Sequence, residues 1–294
     1  AIVELGTNPA GAVTMASTLA VTGNVDFNGD LDVDGTTNLD VVDVDGAVNF
    51  AADVTLANGA DLITASAGTS NVRFGVNAGN SIASGGIDNT VVGDEAGTAI
   101  TTGRFNTLIG KEAGDALNDA DSNVAIGKGA LSSDTQGSQS TAIGTLALTA
   151  QNFTSATDAY NVAVGAEAGK AVTTGTQNTL IGGLAGDALT TGAANTAVGY
   201  ASLGAGVASY YNTAFGSLAL QADTTGRHTV AIGRNAFQAQ NNTTSADMYN
   251  VAVGSSAGHS NTTGANNTFL GGKAGFANTT GSENTSIGLN ALLS

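Results

Sequence analysis

The chain has 294 residues, with 42 Gly and a single Pro, no Cys, no Trp, 5% aromatic and 11% charged residues. Hydrophobic residues still make up 41%, mostly Ala, Val, Leu and Ile, which excludes a disordered chain and predicts a thin core of small side chains between closely spaced backbones. A formal charge of −16 with only eight Lys and Arg leaves no basic track for nucleic acid and repels an anionic membrane surface. Without Cys there is no disulfide framework and no thiolate metal site. No apolar run reaches the roughly 18 residues of a membrane span, and no basic segment followed by an apolar stretch marks a leader.

Residues 1–70 hold ten acidic residues and neither Lys nor Arg. From Thr18 to Leu62 apolar and polar residues alternate between Gly and Asn punctuation, which predicts short strands and tight turns. This segment is read as an acidic β-rich shaft or connector, and it resembles the shaft of viral fibres in which three chains wrap together. Asp30, Asp32 and Asp34 followed by Gly35 imitate the start of an EF-hand loop, but Val41 stands where the closing Glu belongs and no helix pattern flanks the loop. A solvated strand face is the reading for these carboxylates, with Ca²⁺ held between chains by Asp rows as the alternative. No cofactor is expected.

From Asn71 onward the sequence repeats itself about every 17 residues. Units open at Asn71, Asn89, Asn106, Asn123, Ser140, Asn161, Asn178, Asn195, Asn212, Thr229, Asn250, Asn267 and Asn284, so thirteen fill 71–294. Gly occupies the fifth position of every unit, as Gly75, Gly93, Gly110, Gly127, Gly144, Gly165, Gly182, Gly199, Gly216, Gly233, Gly254, Gly271 and Gly288. The fourth position is always large and apolar, and Ala stands three places after the Gly in every unit but one, which has Ser202. In blocks such as NTLIG the second and fourth residues share one face and the third points to the other, the period of a short strand. The Gly and Asn positions predict corners with positive φ or a tight fit, while the Gly, Thr and Asn content argues against helix.

Each unit is therefore read as one coil of a parallel β-roll or β-solenoid. A single coil has too few inward Val, Ile and Ala side chains to offset the entropy of ordering its backbone, so coils must stack on one another. At roughly 4.8 Å per coil the stack would be about 60 Å long. Its open face and sheet edges would be covered by identical partners.

Two units are longer, at 140–160 and 229–249, and carry similar insertions, QNFTSATDAY and QNNTTSADMY. With no room inside, the extra residues must bulge outward. Gln151, Asn152, Phe153, Thr154, Asp158, Tyr160, Gln240, Asn241, Asn242, Asp247 and Tyr249 are therefore the candidate exposed contact residues, with an inter-chain clasp as the equal alternative. The unit-opening Asn residues are read as structural ladders and corners. His228 and His259 lack metal-ligand spacing and are read as surface residues. Asp94 and Glu95 are paired carboxylates without an aromatic cleft, read as a solvated turn. No catalytic or metal residue is assigned.

The blocks STAIGTLAL, NTAVGYASL and NTSIGLNALLS, with NTTG-type turns between them, resemble the head repeats of trimeric autotransporter adhesins of the YadA type and related repeats in phage tail fibres. The likeness spans 71–294. It implies a left-handed parallel β-roll, a homotrimer and attachment to a host surface, with no catalytic residues. No heptad stalk or membrane anchor accompanies the repeats, which favours a virion tail fibre, partnered by other tail proteins and a host glycan or protein, over a cell-surface adhesin or extracellular filament. A glycan-degrading tailspike is disfavoured by the regular coils and the lack of carboxylates in an aromatic groove. An ice-binding solenoid is disfavoured because Thr at the second position alternates with Val.

Overall fold

The computed structural model describes residues 67–293. They fall in the second of the chain's two units, Asp61–Ser294; residues 1–66 of the expected shaft, including Asp30, Asp32 and Asp34, lie outside the described residues. In each repeat, positions 2 to 4 form a three-residue strand, from Val72–Phe74 in the first to Thr285–Ile287 in the last. All thirteen strands join in one parallel sheet in sequence order. Each pairs in register with the next, so that Thr107, Leu108 and Ile109 stand opposite Val124, Ala125 and Ile126. The described residues contain no helix. The fold is a parallel β-solenoid of thirteen coils, with the predicted period.

Backbone pairing between coils continues beyond the strand, in alternating directions. Gly114 N–H donates to Ala130 of the next coil, and Ser122 N–H to Arg104 of the previous one. The corners depend on left-handed residues that include side-chain-bearing ones, such as Glu112 at φ 57° and Ser122 at φ 60°. Such residues cost about 1 kcal/mol each, and the coil-to-coil hydrogen bonds offset that cost. The positive φ predicted near the unit-opening Asn falls on the residue before it.

The invariant Gly has a packing cause. At Gly182 φ is +133°, a region closed to side chains, and a Cβ there would lie 2.6 Å from the carbonyl oxygen of Gly199 in the next coil. The same approach recurs from Gly75 to Gly271, so the column of glycines sets how closely successive corners stack.

The core corrects one expectation. Position 3 points inward and position 4 outward: Leu108, Ala125 and Leu180 are fully buried, whereas Ile109, Ile181 and Phe215 are exposed. Inside, volume is conserved along the stack. Leu108 and Leu180 at position 3 accompany Gly114 and Gly186 at position 9, whereas Ala125, Ala142 and Ala231 accompany Leu131, Leu148 and Phe237. Where both positions are small, neighbouring coils fill the space. A Cβ on Gly169 would meet Leu180 at 2.8 Å and Leu148 at 2.9 Å. A second buried apolar column at position 12, formed by Ile82, Ile100, Leu117, Val172 and Leu189, completes the interior of those coils, and interiors of this kind are close-packed.

Candidate functional site

The unit-opening Asn residues form a buried ladder. The Asn89 side-chain oxygen accepts the backbone N–H of Asn106 at 3.0 Å, and the Asn106 amide donates to Ala120 O at 2.8 Å. The same links recur through Asn123, Asn178, Asn195 and Asn212. This satisfies polar groups that the thin core would otherwise strand.

The ladder is interrupted at Ser140 and Thr229, which open the two long coils and whose hydroxyls are too short to continue it. A glutamine splices each gap. Gln151 donates through Nε2 to Ser140 Oγ at 3.0 Å and to Asp134 Oδ2 at 2.6 Å, and its Oε1 accepts from Asn161 Nδ2 at 2.8 Å. Asp134 Oδ1 also accepts the N–H groups of Gly137 and Phe153, each at 3.0 Å. Gln240, Thr229, Asp223 and Asn250 repeat the arrangement with a longer carboxylate contact of 3.4 Å. Gln151, Phe153, Gln240 and Asn242 are therefore buried, contrary to their selection as exposed contact residues: the insertion begins by repairing the ladder and only then turns outward.

Asn152, Thr154, Asp158, Tyr160, Asn241, Asp247 and Tyr249 are exposed. In the first long coil Thr157–Asp158 pairs with Gly137–Ser138 of the preceding coil. Each bulge presents the same Asp-x-Tyr pair, with Tyr160 reaching Asp158 at 3.5 Å and Tyr249 reaching Asp247 at 3.3 Å. The pairs lie five coils apart, about 24 Å. At the second, His228 stacks between Tyr211 and Tyr249, with centroids 5.0 and 5.1 Å away. His228, a surface residue by its sequence, is half-buried in this stack. Asp94 and Glu95 stand in an exposed corner beside Lys111, with Asp94 at 2.8 Å from its Nζ. Among the described residues no group of His, Asp and Glu has metal-site geometry.

An apolar column, exposed in some coils and half-buried in others, runs down the strand face. Position 4 forms it as Phe74, Val92, Ile109, Ile126, Ile143 and onward to Ile287, flanked by Thr and Val at position 2. Phe215 is 54% exposed and Leu270 46%, and the column spans every coil. No family model matches the chain, and no curated protein matches it. The surfaces must therefore be read from their own chemistry.

Burial pushes the Asp223 carboxyl up to about 6, against the opposing effect of the N–H groups of Asn242 and Gly226 and the amide of Gln240. A carboxyl that is harder to ionise when folded makes folding more favourable in its protonated form. That stability is complete below the ordinary carboxylate range and is lost as pH rises through about 6. Between pH 7 and pH 4 the stability of the wild type relative to Asp223→Asn should therefore rise by about 2 kcal/mol, at 1.36 kcal/mol per pK unit, with the remainder of the shift gained only below pH 4. Urea unfolding of both proteins across that range measures the difference; a flat difference refutes the assignment.

Proposed function

We propose that this chain is a non-enzymatic fibre protein that attaches a virion to a host surface, with three copies side by side along their strand faces. The outward apolar column carries the reading. A soluble single chain seldom exposes an uninterrupted apolar stripe, and this one sits on a flat, regular face that an identical copy can match along its whole length. Burial of the stripe would supply what the thin core lacks.

Function then resides in stiffness, length and trivalency. No catalytic step or cofactor is assigned: the buried carboxylates Asp134 and Asp223 are engaged in ladder hydrogen bonds. The place proposed is the tail fibre, beside other tail proteins, with a host glycan or protein as receptor. A bacterial surface adhesin or extracellular filament would use the same assembly.

Native mass and adhesion test the proposal together. The wild type should contain three chains per particle and adhere to host cells. Ile181→Lys combined with Val198→Lys places two charges on the outward column without touching the core, and should yield folded single chains. A wild-type monomer, or unchanged association of the double variant, overturns the assembly. Shortening of host polysaccharide by the purified protein would overturn the non-enzymatic assignment.

A further inference from the structure

Position 10 of the coils forms a column on the limb that returns across the core from the strand. Twelve of the thirteen coils carry a side chain there, including Lys170, Asp187, Gln221 and Gln238, and the exception is Gly204. The missing side chain opens a trough of about 470 Å³ between Asp187 and Gln221, floored by Ala201, Ala205 and Ala222 and walled by Leu184 and Tyr200. Gly183 in the coil before stands beside the Tyr200 ring, where even a Cβ would make only ordinary van der Waals contact at 3.9 Å. Tyr200 remains 58% exposed.

The polar groups are aimed at the gap. A Cβ on Gly204 would lie 3.5 Å from Asp187 Oδ1, so the carboxylate overhangs the place where the side chain is missing. Partial desolvation there holds the Asp187 carboxyl above the usual carboxylate range. Gln221 Oε1 accepts from Gln238 Nε2 at 3.0 Å, which orients its own NH₂ as a donor. An exposed aromatic wall, an apolar floor, one carboxylate acceptor and one amide donor within a single-coil gap match the surface of a sugar ring, which has C–H groups on one side and hydroxyls at its edge.

We propose that this trough binds one neutral sugar unit of a glycan, its C–H face against Tyr200, its hydroxyls donating to Asp187 and accepting from Gln221. The carboxylate selects against an anionic sugar. The trough is lined by residues 6 to 11 of its coils and by none of the position 4 column. The inference deepens the attachment reading by giving the receptor a chemical class, and binding at the trough does not depend on how many chains associate.

The test titrates the full chain with glucose, galactose, mannose, N-acetylglucosamine and their disaccharides, with sialic acid as the anionic comparison, read by saturation-transfer NMR. Saturable binding of at least one neutral sugar is expected, in the millimolar range typical of about 4 kcal/mol, and none of sialic acid. Gly204→Gln installs the residue of the next two coils in a backbone without positive φ, and Tyr200→Ala removes an exposed ring. Each should weaken binding at least about tenfold; Tyr200→Ala should leave the melting temperature unchanged, whereas Gly204→Gln, whose Cβ would stand 3.2 Å from Ala201 O, should lower it slightly. No saturable binding of any neutral sugar, preferential binding of sialic acid, or full affinity in folded Tyr200→Ala overturns the proposal. Failure of the attachment reading is separate: the wild type would then not adhere to cells, whatever the trough binds.

Discussion

Gly182→Ala should open the middle of the solenoid, whereas Gly183→Ala, one residue away, should leave it nearly unchanged. At Gly182 a methyl group would be placed in a backbone region closed to side chains and driven to 2.6 Å from Gly199 O and 2.7 Å from its carbonyl carbon. Neither atom can yield without moving the next corner, whose own glycine is pressed in the same way against Gly216. Backbone strain and forced separation together should cost about 4 kcal/mol. Because each coil leans only on its neighbours, the loss should be local, with hydrogen exchange accelerating in Thr179–Ile181 and Thr196–Val198 and less at the ends. Gly183 lacks positive φ and has no neighbour nearer than 3.9 Å, so its substitution should stay within about 0.5 kcal/mol. Equal effects at the two sites would mean that the glycine column does not set the stacking distance.

The contrast shows what a sequence of this kind discloses. The period, the Gly at position 5 and the strand alternation are short-range features, and all three appear in the structure as predicted. Which face lies inside was harder to read. Position 4 is uniformly large, and size alone suggests burial, but an interior this thin cannot hold an Ile in every coil beside Leu108 or Phe237. The bulk goes outward, and position 3 mixes Ala with Leu and Phe because its volume is traded against position 9 of its own and neighbouring coils. That trade is visible in the sequence only when the two columns are compared.

The contact residues were legible in part for a related reason. Length variation located the bulges, and Asp158, Tyr160, Asp247 and Tyr249 do stand outside them. Ser140 and Thr229, the two openings without Asn, coincide with the two long coils, a signal that points to a repaired ladder. Its meaning depends on stacking, because the repair joins Gln151 to residues 10, 11 and 17 places away in sequence. The trough left a fainter mark. Position 10 varies from Asn, Asp, Ser and Thr through Lys and Gln to His259, Phe276 and Leu293, so the one Gly in it forms no motif.

The splice should account for a large share of the stability of its region, and Gln151→Ala measures it. The substitution removes the closest donor to a buried carboxylate, the acceptor of Asn161 Nδ2 and the partner of Ser140, and leaves a cavity. A charged hydrogen bond at about 1.5–3 kcal/mol, with a neutral one and the lost volume, gives an expected loss of about 4 kcal/mol in urea unfolding. Gln240→Ala should cost less, since its amide stands 3.4 Å from Asp223 rather than the 2.6 Å found at Asp134. Gln151→Glu keeps the volume but sets two carboxylates face to face, so its penalty should be at least as large at pH 7 and should shrink on acidification as one of them takes a proton. Should all three variants unfold within about 1 kcal/mol of the wild type, the ladder does not depend on the splice, and the Gln-bearing insertions would have to be explained by what their exposed Asp-x-Tyr tips contact.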